Sequence, residues 1–479
     1  MGSTASSYVS VITATTFAQP SFVEYMQLAT LPNANDLIGA VSGAYFAGGM
    51  VGAIVTSEAT DYLGRRISIF ISCLIACIGG ALQAGSVNMG MFIAARLLSG
   101  LGIGGLFTSI PVYCSEISPP KTRGLIVGLH GIFIALGTVL CNFIGLGFYF
   151  VNAGGAQWRP PLAIQCFFLI TLGCGIWFLP ESPRWLVNKG RHDQALQVLL
   201  RLHRDHNDPD HIFAHQEYRQ IQEQHEEDEN NKATWSQMWT VTSYRRRCFL
   251  SILVMFGSQM TAILIASIYN PLLLSGLGYG IVMQLVLTGV WSLVAVVGNT
   301  LCAFTVDRLG RVLAFKLGWI FSGIGVIGIC ASLSIYRITG SRSAGIAGVF
   351  FLYWHIFSYA VFVDPTTYIY CAEIYPNNIR GKGMAIAIAS YFAVLLLQLT
   401  SAPSAYAKLG WKLLIIYFAA LVVITPLLWF FLPETKGKSL EEIGLIFGDR
   451  NTHINLDAVE TTNVENDKEE VNISKVDIQ

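Results

Sequence analysis

Long apolar runs, separated by short polar connections, follow one another along most of this chain. Eleven of them reach or approach the length of about twenty residues that an α-helix needs to cross a bilayer. These runs are 37–56, 67–86, 91–113, 125–150, 162–179, 248–274, 282–305, 313–335, 344–370, 384–400 and 413–432. The pattern predicts an all-α membrane protein with about eleven spanning helices, and residues 8–19 are interpreted as the stub of another.

Composition and charge support the membrane class. Of the 479 residues, 53% are hydrophobic and 13% are charged, whereas soluble proteins carry about 25% charged residues. The formal net charge of zero gives no reason to expect a nucleic-acid partner. The ten cysteines are scattered without metal-ligand spacing, so we expect neither a metal nor a cofactor.

The polar connections predict orientation and domain limits. The connections after the first, third, seventh and ninth runs are basic, which places them in the cytoplasm. The predicted domains are an N-terminal segment with the remnant of a first helix (1–36), an N-terminal transmembrane bundle (37–179), a cytoplasmic linker with short helices (180–247), a C-terminal transmembrane bundle (248–435) and a disordered cytoplasmic tail (436–479).

The second half of the chain repeats motifs of the first half in the same order. The motif from Asp61 to Arg66 is answered by the one from Asp307 to Arg311, and Glu116 precedes Arg123 by the same spacing as Glu373 precedes Arg380. Further pairs are Trp158-Arg159 with Trp411-Lys412, and Pro180-Glu181-Ser182 with Pro433-Glu434-Thr435. Such duplication is typical of transporters built from two related halves.

Together these motifs resemble the sugar porters of the major facilitator superfamily, especially their fungal members. The resemblance covers about 37–445 and rests on D-Y-L-G-R-R, R-x-x-x-G-x-G-x-G, P-E-S-P-R-W-L, P-E-T-K-G and two copies of E-x-x-P-x-x-x-R-G. It implies twelve helices in two pseudo-symmetric bundles, with the substrate held midway between them. It also implies an integral membrane protein, expected in the plasma membrane.

The charged motifs predict an inner gate of salt bridges that is closed in one state and broken in the other. Its expected members are Asp61, Arg65, Arg66, Glu116 and Arg123 in the first bundle, and Asp307, Arg308, Arg311, Glu373 and Arg380 in the second. The alternative is that these charges only set orientation. We favour the gate because acids accompany the bases, whereas orientation needs bases alone.

The expected substrate site departs from the family pattern. Of the usual Q-Q-x-x-G-x-N signature on the seventh helix only Gln259 remains, and Asp364 replaces a glycine. Tyr368 stands where the family often has a tryptophan, and Tyr391 and Phe392 occupy the amide-plus-aromatic pair of the eleventh helix. Gly131, beside His130, stands where the family has an amide on the fifth helix. The usual amide position on the eighth helix falls near Ala295, about one turn before Asn299. We expect Gln259, Asp364, Tyr368, Tyr391 and Phe392 to bind substrate, although aromatic residues in apolar helices more often only pack against neighbouring helices.

Two charges inside apolar runs are candidates for coupling. Asp364, next to Pro365, is costly in a membrane and is therefore a functional candidate, unless it is merely hydrogen-bonded within the bundle or lies nearer the surface. In proton-coupled members of the family, the arginine that matches Arg96 faces an aspartate on the first helix. This chain has no G-Y-D motif of that helix, so a truncated gene model or a remnant is considered.

The resulting hypothesis is a carrier for a sugar or sugar-like polyol that works by alternating access, with or without a coupled proton. Its partners would be that small substrate, the proton and the lipid bilayer. No nucleophile–base set or phosphate-binding loop is present, so we do not expect an enzyme. The alternative is a transport-dead nutrient sensor or a truncated, nonfunctional remnant of a sugar porter.

Overall fold

The computed structural model of the chain describes residues 1–118, 123–151, 154–203, 212–230, 234–438 and 440–449. Residues 1–436 form one compact unit, and the chain from residue 437 onward forms a second. The second unit contains the helix Leu440–Phe447. The disorder expected for the tail falls, beyond residue 449, outside the described residues.

Six long helices make up the first half of the larger unit. They are α1 (Gly2–Phe17), α2 (Ala34–Leu63), α3 (Arg65–Ala84), α4 (Met89–Ile117), α5 (Arg123–Tyr149) and α6 (Arg159–Gly175). Helix α4 packs between α2 and α3, while α1 packs against α5 and α6.

Six further long helices repeat the arrangement in the second half, and two of them are interrupted. They are α7 (Thr242–Gln259, continued by Ile263–Ile268 and Asn270–Gly276), α8 (Ile281–Leu309), α9 (Arg311–Thr339), α10 (Arg342–Phe362, continued by Asp364–Glu373), α11 (Asn377–Leu409) and α12 (Leu413–Phe431). The two halves meet where α2 packs against α11 and α5 packs against α8.

The prediction of an all-α membrane protein with eleven spans is confirmed. Within the described ranges, ten stretches are long and apolar enough to cross a membrane. The last of them, Ile379–Phe431, contains both α11 and α12, so the ten stretches hold eleven long helices.

Helix α1 is longer than the stub expected at 8–19, because it begins at Gly2. Its sixteen residues are nearly all buried. The sequence pattern missed its first part because serine and threonine lower the hydropathy. Inside the helix their hydroxyls donate to carbonyls of the preceding turn, as Ser10 does to Ser6 and Thr16 to Ile12.

The described part of the linker between the halves contains four short helices, Pro183–Asn188, His192–Leu202, Ile212–Asn230 and Gln237–Thr240. The first three share a small apolar core of Trp185, Leu186, Val187, Ala195, Leu199, Ala214 and Ile221. The amphipathic pattern predicted such helices. The Trp185 indole N–H also donates to the carbonyl of Asp61, 3.1 Å away, which anchors the linker to the end of α2.

Candidate functional site

A cavity of ≈ 120 Å³ lies between the two halves of the larger unit. The structure brings all five expected substrate residues to its wall, namely Gln259, Asp364, Tyr368, Tyr391 and Phe392. Other lining residues include Ser7, Ser10, Phe46, Phe107, Thr138, Trp291, Asn299 and Tyr359. Both halves therefore contribute side chains to one site.

Asp364 lies where α10 is interrupted. Pro365 follows it in the first turn of the second segment, where a missing backbone N–H costs little. The carboxylate is thus at a helix N-terminus, whose dipole favours a negative charge. Asn299 on α8 donates through Nδ2 to Oδ2 of Asp364 at 3.3 Å and to the carbonyl of Gly131 on α5 at 3.2 Å.

Gln259 ends the first segment of α7. Its Nε2 donates to the hydroxyls of Ser258, at 3.0 Å, and Tyr359, at 3.4 Å. Its Oε1 is buried without a hydrogen-bond partner in the described structure, so it is an unused acceptor. The chain turns after it through Ala262, whose φ of 64° lies in the left-handed region that glycine favours. Ala262 occupies the glycine position of the Q-Q-x-x-G-x-N signature.

Aromatic rings form one side of the cavity. The ring of Tyr391 lies 6.4 Å from that of Tyr368 and 5.4 Å from that of Phe392, measured between centroids. Phe392 also approaches Phe46 and Phe107 of the first half, each at 6.0 Å. It therefore contacts the opposite half as well as lining the cavity.

Contacts between α2 and α11 extend to both sides of the cavity. Near one end, Ser404 donates to Asp36 at 2.5 Å. Near the other, the hydroxyl of Ser57 lies 3.5 Å from the carbonyl of Gly381. This pair of helices therefore joins the two halves on both sides of the cavity.

A charged cluster stands at the junction of α2 and α3. Arg65 makes a two-pronged ion pair with Glu116, with N···O distances of 2.8 and 2.9 Å, and lies 3.4 Å from Asp61. Glu181 accepts the backbone N–H groups of Arg65 and Arg66 that begin α3. The turn needs Gly64, whose φ is 97°.

The second half repeats this cluster at the junction of α8 and α9. Arg311 pairs with Glu373 at 2.7 and 3.1 Å and with Asp307 at 3.0 Å. Glu434 corresponds to Glu181 and accepts hydrogen bonds from the backbone N–H groups of Arg311 and Val312. Burial acts to raise the pKa of Glu434, but these bonds and others from Thr435 and Lys436 hold the pKa below its usual range.

The pairing within these clusters corrects one expectation. The seven-residue spacing suggested Glu116 with Arg123 and Glu373 with Arg380. Glu373 pairs instead with Arg311, which opens α9, and Glu116 pairs with Arg65, which opens α3, because the turn before each helix places the arginine alongside the glutamate. The Arg380 guanidinium donates to the carbonyl of Tyr375 at 3.3 Å. The Arg123 side chain lies outside the described residues.

The remaining arginines have different surroundings. Arg66 donates to the carbonyl of Trp177 at 2.7 Å, and the side chain of Arg308 is exposed. Arg96 is 1% exposed and faces α1, where it donates to the carbonyl of Val9 at 2.9 Å, and its guanidinium lies 4.1 Å from the centroid of the Tyr45 ring. Arg96 does not line the cavity with Asp364.

Sequence reasoning missed several cavity residues. Asn299 was noted beyond Ala295 but not placed at the site, although an amide in a long apolar helix is a usable signal. Tyr359 gave no comparable signal, nor did Ser10, which bonds to the Tyr45 hydroxyl at 2.6 Å. Such residues look like ordinary packing until the helices are placed.

Comparison with known proteins gives a consistent family. The sugar (and other) transporter family model matches residues 1–447. The chain is 32% identical over 467 residues to the MFS-type transporter criB of Aspergillus cristatus, covering 97% of this chain and 95% of that protein. It is 29% identical to a high-affinity glucose transporter of Kluyveromyces lactis, covering 86% and 77% of the two chains.

A solved structure shares the fold. The proton:xylose symporter XylE bound to 6-bromo-6-deoxy-D-glucose superposes with a TM-score of 0.78 at 22% identity, covering 93% of this chain and 97% of the other. The inward-open xylose transporter XylE from E. coli gives a TM-score of 0.74 at 20% identity, covering 93% and 98%. The match of the family model over almost the whole chain, supported by the curated relatives and by this fold, means that the chain belongs to the sugar porters of the major facilitator superfamily.

Proposed function

We propose that this protein carries a sugar or sugar-like polyol across a membrane by alternating access. The observation that supports this most is the cavity at the junction of the halves, with matching charged clusters in each half. Opening to one side requires the contacts of α2 with α11 to separate at one end while they persist at the other. The orientation by basic connections favours a cytoplasmic location for the charged clusters.

The clusters act as gate elements by fixing helix ends. Arg65 with Glu116 ties α3 to α4, and Arg311 with Glu373 ties α9 to the second segment of α10. Because Ser57 and Gly381 meet beside these clusters, tying the helix ends supports closure between the halves. Loss of an ion pair then favours the open arrangement.

The cavity offers hydroxyl partners and ring faces to a sugar-like substrate. Gln259 and Asn299 each have an unused carbonyl oxygen, and the tyrosines supply aromatic faces. Asp364 either binds substrate hydroxyls or carries the coupled proton, since a carboxylate in a membrane interior needs a compensating positive charge or protonation. Relatives named for glucose and myo-inositol support a sugar-like substrate.

The test is uptake by the full chain in reconstituted liposomes, across labelled sugars and polyols, at two external pH values. Ala295→Trp, which adds bulk at the cavity wall, is the blocked control. We expect saturable uptake of at least one compound by the unmodified protein and little by the variant. Correctly inserted protein that moves none of them would favour the nutrient-sensor alternative. Expression with a fluorescent tag tests the proposed plasma-membrane location.

A further inference from the structure

Resting on the proposed function, we infer that the sugar-like substrate also carries a protonated amine, which pairs with Asp364. Amino sugars and aminocyclitols are the corresponding chemical class. The basis is the balance of charge and hydrogen bonding around Asp364, where this chain departs from the sugar-porter pattern.

The cavity wall holds a carboxyl group whose ionised form no described positively charged side chain balances. Asp364 has a hydrogen bond from Asn299, which is neutral. The described lining residues include no lysine, arginine or histidine. The buried guanidinium of Arg96 is engaged with Val9 and Tyr45 instead. A carboxylate withdrawn from water needs a positive charge, so a bound ligand or a proton must supply it.

The unused hydrogen-bonding atoms of the cavity are mostly acceptors. Oε1 of Gln259 and Oδ1 of Asn299 are buried without partners, in residues that are 2% and 3% exposed. Among the described lining residues, the Trp291 indole is the one buried donor without a partner. A ligand with several N–H and O–H donors satisfies these acceptors and the carboxylate together.

The aromatic surroundings also favour an organic cation. Tyr359, Tyr368 and Tyr391 all lie close enough to interact electrostatically with Asp364. Faces of aromatic rings attract ammonium groups, and the attraction is larger where water is excluded. A cavity lined by a carboxylate and three tyrosines therefore suits an ammonium better than a hydroxyl.

The amine and a proton would compete for the same carboxylate. A neutral sugar needs a protonated Asp364 to avoid a bare buried charge, whereas an ammonium replaces that proton. The polar and titratable groups near Asp364 include Asn299 and Cys302 from α8 and the tyrosines of α10 and α11. On α5, the side chain of His130, beside Gly131, lies outside the described residues, so the experiment includes it.

The test uses full-length protein in liposomes held at an inside-negative potential with valinomycin. Matched sets share one ring and differ at one position, such as D-glucosamine, N-acetyl-D-glucosamine and D-glucose, with galactose and aminocyclitol sets alongside. The apparent affinity of each compound is measured by competition, at a pH where the amines are protonated. We expect the amine of at least one set to bind about tenfold to a hundredfold more tightly than its neutral partners. Its uptake should rise with the potential.

The variants separate the possible causes. Asp364→Asn should abolish the amine preference, so that the amine of a set binds no more tightly than its neutral partners. Asp193→Asn, which removes an exposed linker carboxylate, should keep the preference. Equal affinity of amines and neutral partners in every set, with saturable sugar uptake, overturns this inference alone. An amine preference that is absent from the unmodified protein and appears only in His130→Gln also overturns the inference. In that case His130 supplies the positive charge beside Asp364 in the unmodified protein. Absence of any saturable uptake overturns the proposed function together with it.

Discussion

Asn299 of α8 donates to Asp364 of α10 across 3.3 Å, and the same amide donates to the carbonyl of Gly131 on α5. These bonds join helices of both halves at the point where α10 is broken. Because Asp364 begins the second segment of α10, a change in its charge acts directly on that break. Binding of a proton or a ligand there can therefore alter the packing of α10 against α5.

For neutral sugars, we predict that Asp364→Asn abolishes pH-driven accumulation and retains exchange, because the amide keeps the size but cannot titrate. The measurement is uptake into liposomes with and without a pH gradient, followed by counterflow with equal sugar on both sides. Loss of both activities would instead assign Asp364 to binding. Wild-type behaviour in both assays would leave Asp364 with a structural role only.

At the charged clusters, we predict that Arg65→Ala and Arg311→Ala each lower transport at least about tenfold, since removing one partner leaves an uncompensated glutamate that is largely buried at Glu116 and partly buried at Glu373. Arg201→Ala, on the exposed face of a linker helix, is the matched control. Transport per inserted molecule is measured against surface abundance.

The double variant Arg65→Ala, Glu116→Gln checks the cause. Removing both charges leaves no uncompensated carboxylate, so we expect part of the lost transport to return. If the losses of transport caused by the two substitutions add in the double variant, the two residues act separately, which would contradict the paired gate.

The sequence predicted the spanning helices well because a bilayer demands long apolar runs, and Arg311–Thr339 satisfies that demand almost without interruption. It underestimated α1, whose hydroxyls look polar in sequence but donate to carbonyls within the helix. The family pattern identified Gln259 and Asp364. It did not give the bond from Asn299, because that contact depends on how α8 crosses α10.

The charged clusters were likewise predicted only in part from the sequence. Repeated motifs correctly predicted that acids and bases gather in each half, yet spacing along the chain suggested the wrong partner for Glu373 and did not indicate Arg65 as a partner of Glu116. Arg65 and Arg311 reach those glutamates because each arginine follows a tight turn, at Gly64 and Gly310, that starts a new helix beside them. Partner choice is thus a property of the turn and the helix packing.

At the break in α7, we predict that Ala262→Gly stabilises the protein by about 0.5–1 kcal/mol, because glycine removes the left-handed strain at some entropic cost. Ala262→Val should destabilise it, since a β-branched residue tolerates that conformation poorly. Ala266→Gly, in the following right-handed segment, is the control and should cost about 0.5–1 kcal/mol. Thermal unfolding of the purified variants gives their order of stability. A lower melting temperature for Ala262→Gly would contradict the assigned strain.

Phe392 joins the halves through Phe46 and Phe107, and its ring would lie 2.7 Å from a Cβ added at Gly49. Phe392→Ala removes both ring pairs. At about 0.5–1.5 kcal/mol for each pair, we expect the closed cavity to lose about 1–3 kcal/mol relative to open forms. In a cysteine-free background with Ala295→Cys, labelling of the cavity by a membrane-impermeant maleimide should accelerate about fivefold to a hundredfold without substrate.

The control for this prediction is Phe350→Ala, which makes the same change at a residue that is 58% exposed on α10 and should leave the labelling rate unaltered. Because no substrate is present, any contribution of Phe392 to binding does not enter the measurement. An unchanged rate in Phe392→Ala would mean that the other contacts between α2 and α11, at Ser404 and Ser57, hold the cavity closed by themselves. Acceleration confined to Phe392→Ala would assign closure beside the cavity to this ring.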